Sequence, residues 1–122
     1  MFYNEMPIIL ALLFFKHFLV DFVFQTNSHV QGKGIYGNLK GIEHSLQHAV
    51  GTGLMLLPFV GFEVAAFMAV LDGVIHYHID WAKMNINKRW HYTPQDQQFW
   101  MWLGADQLAH SLTYVWFVWL LF

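Results

Sequence analysis

Leu71-Asp72-Gly73-Val74-Ile75-His76-Tyr77-His78-Ile79-Asp80-Trp81-Ala82-Lys83 ends a strongly apolar run, Phe67-Met68-Ala69-Val70-Leu71, yet carries three groups that hydrocarbon rejects. On an α-helix Asp72, His76 and Asp80 step by four, a turn of about 40° each time, so they share one face. Two carboxylates and an imidazole on one stripe can hold a metal, relay protons or form a buried hydrogen-bond network. The plainer alternative is the solvated face of a soluble helix, and the apolar residues just before it argue against water there.

Composition sets the surroundings of that stripe. The 122 residues are 57% hydrophobic, 19% aromatic and only 11% charged, whereas soluble domains carry roughly 25% charged residues. The chain reads as a single-domain integral membrane protein over residues 1–122. The net charge of -2 says little because the charges are unevenly placed. With no cysteine there are no disulfides and no thiolate ligands.

Working outward, four apolar segments of spanning length emerge, at about residues 6–25, 41–58, 64–83 and 99–122. The first has no basic residues before it and no small-residue cleavage site after it, so it is read as a retained helix and not a signal peptide. A polar, glycine-rich stretch over residues 26–40 reads as a loop, residues 58–63 as a tight turn, and residues 85–98 as a second polar loop. The expected fold is all-α: a polytopic membrane protein with an antiparallel bundle of four transmembrane helices.

Orientation follows from the cations. Lys33, Lys40, Lys83, Lys88 and Arg89 lie in or beside the first and third connections, which the positive-inside rule places in the cytoplasm. This puts the chain in the inner (cytoplasmic) membrane with both termini outside. His17, Asp21 and Gln25 then approach the first loop and His44 and His48 leave it. Asp72, His76 and Asp80 approach the third loop; Asp106, Gln107 and His110 leave it. All four helices bring ionisable groups to one leaflet, roughly 5 to 18 Å below the loop ends. The opposite halves are almost free of charge.

Each charge at the bilayer centre costs at least about 2.5 to 3.5 kcal/mol, and such residues usually face the bundle interior and serve a function. A divalent cation offsets that penalty best, since imidazole and carboxylate are ordinary ligands and one ion neutralises two carboxylates. The ligand pool is His17, Asp21, His48, Asp72, His76, Asp106 and His110. Donors without sulfur suit zinc first, then manganese or iron, and their number allows two ions. Asp80 is read as ligand or general base, and Lys83 as the cation that steadies a substrate anion. Gln25, His44 and Gln107 are expected to support the ligands by hydrogen bonds, with His44 near the interface. His29 and His91 are read as solvated loop residues, and His78 as a packing or lipid-interface residue.

His17-Phe18-Leu19-Val20-Asp21-Phe22-Val23-Phe24-Gln25, the loop lysine that follows, the His44/His48 pair, Asp72-x-x-x-His76-x-x-x-Asp80-x-x-Lys83 and Asp106-Gln107-x-x-His110 together resemble the signature of small bacterial and phage membrane proteins called domain of unknown function 3307. The resemblance covers nearly the whole chain and implies no activity. More loosely, the pattern is similar to membrane-bound metal-dependent hydrolases of the LexA-regulated type, which implies hydrolase chemistry.

The leading expectation is metal-dependent hydrolysis of a phosphoester, of a lipid or another membrane-associated substrate. A non-enzymatic proton or metal-ion conduit, and an interaction protein with a structural polar network, remain open alternatives. Membrane lipid is the expected partner, and a homo-oligomer is compatible with so small a bundle. The Lys88-Arg89-Trp90 cluster is too short for a nucleic-acid surface.

Overall fold

In the computed structural model, which describes residues 4–122, every regular element is helical. Residues 1–3, the start of the expected single domain, lie outside the described part. Helix α1 (Met6–Phe18) opens with Pro7 in its first turn, where a missing N–H costs nothing, and runs directly into a π-helical segment, Leu19–Phe24. Together they form one continuous element over the expected first segment.

The expected loop over residues 26–40 instead contains a short helix, α2 (Asn27–Gly32). Thr26 caps it, accepting from the His29 N–H at 3.3 Å, while His29 Nδ1 accepts from the Thr26 N–H at 3.0 Å. This is a capping box with histidine in the place usually held by Glu or Gln. His29 is therefore buried and not solvated.

Asn38 caps α3 (Leu39–Val60), and Gly61, at φ 80°, reverses the chain into α4 (Phe62–Trp90). Helix α4 continues a full seven residues past the expected end at 83. Its extension is held by Asn85, whose Nδ2 donates to Trp81 O and to Gly34 O, and it stops where His91 turns left-handed. Helix α5 (Gln97–Leu121) completes the chain.

The four long helices close a ring: α3 packs on α1 and α4, and α5 packs on α1 and α4. Neighbours run antiparallel, since His17 meets Gln107 while Lys16 meets Tyr114, and Asp80 meets His110 while Lys83 meets Asp106. The α3–α4 contact is the closest. A Cβ on Gly73 would stand 3.1 Å from Ala49 Cβ, and one on Gly53 would stand 3.3 Å from Ala69 Cβ. Ser45-x-x-x-Ala49-x-x-x-Gly53 thus faces Ala65-x-x-x-Ala69-x-x-x-Gly73, the small-residue pairing that lets helix backbones approach where apolar burial supplies no drive. Gly73→Val is expected to lower stability by about 1–3 kcal/mol through overpacking. Gly104→Ala, with open space around it, is expected to be neutral or to gain up to about 1 kcal/mol. Unfolding of both variants in detergent checks this contrast.

The interior has two floors. Near the α3–α4 turn lies an apolar cluster that includes Ile9, Leu13, Leu56, Met68 and Phe117. The other half is polar, and among the described residues the buried polar and charged side chains outnumber the buried apolar ones. The outside is the reverse: Phe15, Phe18, Phe22, Leu54, Phe67 and Trp119 are exposed. An apolar exterior around a polar interior is the distribution expected of helices solvated by hydrocarbon. Of the four expected spans, Met6–Phe24 and Phe62–Trp90 are long and apolar enough to cross a membrane.

Candidate metal centre

Every long helix contributes to the polar floor. The π-helical segment places Asp21, α3 places His44 and His48, α4 places His76 and Asp80, and α5 places Asp106 and His110, all buried. Asp21 Oδ1 is the hub. It lies 2.8 Å from His48 Nε2, 3.0 Å from His44 Nε2 and 3.6 Å from His76 Nε2. Asp80 Oδ2 stands 3.1 Å from His76 Nε2 and 3.4 Å from His44 Nε2, while Asp80 Oδ1 is 3.2 Å from His110 Nε2. Two groups able to hold an ion result, Asp21-His44-His48-His76 and His76-Asp80-His110, sharing His76.

Close approach here is hydrogen bonding for His48 on Asp21 and His110 on Asp80 but not for the other two imidazoles. His48 is aligned on Asp21, but neither ring nitrogen of His44 or His76 makes a hydrogen bond, and neither do Asp80 Oδ2 and Asp106 Oδ1. Unmade bonds of this kind each cost about 1–3 kcal/mol when buried. The His76 ring is stacked between those of His48 and His110, with centroids 3.5 and 3.9 Å away. Four atoms bound at about 2.0–2.2 Å to one tetrahedral ion stand about 3.3–3.6 Å from one another. The separations around Asp21 and Asp80 fall in or just under that range, and the donors are the nitrogen and oxygen types such an ion takes. The residues therefore fit a metal.

Other expected ligands stand close by without entering either group. His17 Nε2 lies 2.9 Å from Gln107 Oε1 and 3.2 Å from Asp21 Oδ2, behind the hub. Asp106 Oδ1 is 3.5 Å from His110 Nε2, and its Oδ2 accepts from Gln107 at 3.0 Å and from Lys83 at 3.4 Å. Gln25 donates to Asp21 O and accepts from Lys33 at 2.8 Å, so both glutamines brace carboxylate-bearing segments. His44, expected near the interface, is fully buried at the centre. His91 is exposed, as expected, and His78, read as a packing or lipid-interface residue, is exposed with its Nε2 2.9 Å from Tyr36 Oη.

Asp72 belongs to a separate network one step deeper. Its Oδ2 accepts from Lys16 Nζ at 3.0 Å and from Thr52 Oγ1 at 2.6 Å. Lys16 also donates to Tyr114 Oη at 2.8 Å and lies 3.2 Å from His48 Nδ1. Gly51 makes room for it, since a Cβ there would stand 2.6 Å from Lys16 Cγ. Sequence reading assigned no part to Lys16, Thr52 or Tyr114, and used Lys33, which reaches Asp80 Oδ2 at 3.4 Å, only as an orientation charge. A lysine unexplained in mid-span was the available signal.

A family model described as a protein of unknown function, DUF3307, matches residues 9–122. No curated protein and no solved structure matches the chain.

Proposed function

Since the chain belongs to the DUF3307 family, whose description gives no activity, we propose from its own geometry that it is a metal-dependent hydrolase of the inner membrane. Its substrate in this reading is a phosphoester, and its centre lies within a four-span bundle on the cytoplasmic side with both termini outside. One observation carries the reading: His44 and His76 each bring Nε2 within 3.0–3.6 Å of both Asp21 Oδ1 and Asp80 Oδ2, while both imidazoles and Asp80 Oδ2 are buried without a hydrogen bond. Asp21, His44, His48 and His76 would hold one ion, and Asp80 and His110 a second or an extension of the first. Zinc suits this donor set best. Such an ion, when bound, lowers the pKa of water toward about 7 and stabilises charge on a phosphoryl oxygen.

The chain's own groups complete the arrangement. Where Asp80 stays off the ion, its Oδ2, buried and without a hydrogen bond, can take up a proton, and Lys83 offers positive charge to the substrate anion. His17 and Gln107 fix the carboxylates from behind, and Gln25 holds the Asp21 backbone carbonyl. The Lys16–Asp72–Thr52–Tyr114 network carries polarity further along the interior and so speaks for a conduit. Ile9, Leu13, Leu56 and Phe117 close the interior below it, which leaves a conduit without an exit.

The test is elemental analysis of detergent-purified protein beside His76→Ala. Stoichiometric metal in the wild type, lost in the variant, together with metal-dependent phosphate release from para-nitrophenyl phosphate or a short-chain phosphatidic acid, is the expected result. Chelation should also lower the unfolding midpoint, since an ion at 100 times its Kd contributes about 2.7 kcal/mol. A wild type that takes up neither zinc, manganese nor iron would overturn the reading.

A further inference from the structure

On the loop side of the candidate centre lies a cavity of about 620 Å³, walled in part by Gln25, Lys33, Lys83, Asn87, Lys88 and His91. Its size is that of a small-molecule site. Two of its lysines also form the roof of the centre: Lys33 Nζ reaches Asp80 Oδ2 and Lys83 Nζ reaches Asp106 Oδ2, each at 3.4 Å. These are long contacts for charged pairs, which close to about 2.7–2.9 Å when fully made. Lys88, the third lysine, is exposed and has its cation uncommitted to a carboxylate among the described residues. Asn87 adds a buried Oδ1 that makes no hydrogen bond.

Charge decides what the cavity can take. Beneath it, three carboxylates, Asp21, Asp80 and Asp106, face two lysines, Lys33 and Lys83. With neutral imidazoles this layer is negative by one, and Lys88 at the cavity wall only brings the sum to zero. One divalent ion at the centre would raise that sum by two and so favour an anion in the cavity.

We propose that this lysine-walled cavity binds the phosphate group of the ligand, and that it does so strongly only once a divalent ion occupies the His/Asp centre. The second half rests on the metal-centre reading, whereas the first half stands on the cavity and its cations. A phospholipid headgroup and a water-soluble phosphate compound present the same chemistry to these lysines.

Equilibrium dialysis of radiolabelled inorganic phosphate against the full chain in phosphatidylcholine nanodiscs tests both halves, with metal content measured on the same samples. Zinc-loaded protein is expected to bind phosphate saturably. Lys83→Gln and Lys88→Gln should each weaken that binding about tenfold or more, and Lys40→Gln, whose partner is Glu43 on the far side of the loop, should not. Stripping the metal should weaken it at least about tenfold. Displacement of phosphate by phosphatidic acid added to the nanodiscs identifies a lipid headgroup, and its failure to displace identifies a soluble ligand. Zinc bound without phosphate binding, or binding equal in the lysine variants and the wild type, overturns the cavity proposal alone. A protein that binds no metal overturns the metal centre. In that protein, lysine-dependent phosphate binding would sustain the cavity proposal, and its absence would remove that too.

Discussion

Asp21→Asn is expected to lower divalent-metal affinity by at least about 100-fold while leaving the bundle folded. Changing residues that merely brace a ligand typically costs 10–100-fold, and among the described residues Asp21 Oδ1 is the one oxygen within 3.6 Å of three imidazole Nε2 atoms. Asparagine keeps the shape but removes the charge, and its neutral amide is a poor ligand for the ions suited to this donor set. Zinc titration followed by tryptophan fluorescence, with elemental analysis after dialysis, measures the loss. Asp72→Asn is the informative companion. It has the same chemistry and nearly the same burial, and it is expected to retain metal because Asp72 faces Lys16 and Thr52 and not the imidazoles. If Asp72→Asn loses metal as completely as Asp21→Asn, the separation between the two networks is wrong.

The second large effect is on stability. Lys16→Met is expected to destabilise the fold by about 3–5 kcal/mol, the usual result of removing one partner from a buried ion pair and leaving the other uncompensated. Both side chains are about 2% exposed, so water cannot take the place of Nζ. Methionine fits the lysine stem's channel beside Gly51, which confines the loss to the charge and its hydrogen bonds to Asp72 and Tyr114. The double variant Lys16→Met/Asp72→Asn should recover most of the loss, since Thr52 can still donate to the remaining amide oxygen. Unfolding of the single and double variants in mixed detergent gives the coupling energy, and additive effects would mean that the pair is not energetically linked.

These two residues also show how much could be read in advance. Four-residue spacing was enough to put Asp21, His48, His76, Asp80 and His110 at one level, because a period near 3.6 and antiparallel neighbours leave little freedom in depth. It could not separate Asp72 from Asp80. Both lie on one stripe of α4, and which neighbour each meets depends on Lys16, a residue on another helix whose reach is set by a glycine on a third. His44 was misplaced for a related reason: His29 of the short helix α2 lies beside it, ring centroids 5.8 Å apart, and a loop-like composition hid that cover. The helix itself was concealed by a capping box that uses His29 where a carboxylate or amide is customary. The length of α4 was underestimated because Asn85 and Asn87 read as breakers, whereas Asn85 bonds back to Trp81 O and ties the helix to Gly34.

The π-helical segment has a hereditary side. A π turn is an α-helix with one residue too many, held there because the surplus turns a side chain where a regular ladder would not. Between Lys16, fixed by Asp72, and Thr26, fixed by its cap on α2, the chain must fit in one residue more than regular helix needs, and Asp21 sits in that surplus. Losing a single codon from this segment would let it close as regular α-helix, keeping Lys16 and Thr26 in place but turning Asp21 away from the imidazoles. The phenylalanines that face outward, Phe18, Phe22 and Phe24, are exposed and can be exchanged for other apolar residues, whereas the surplus residue is what aims Asp21 inward.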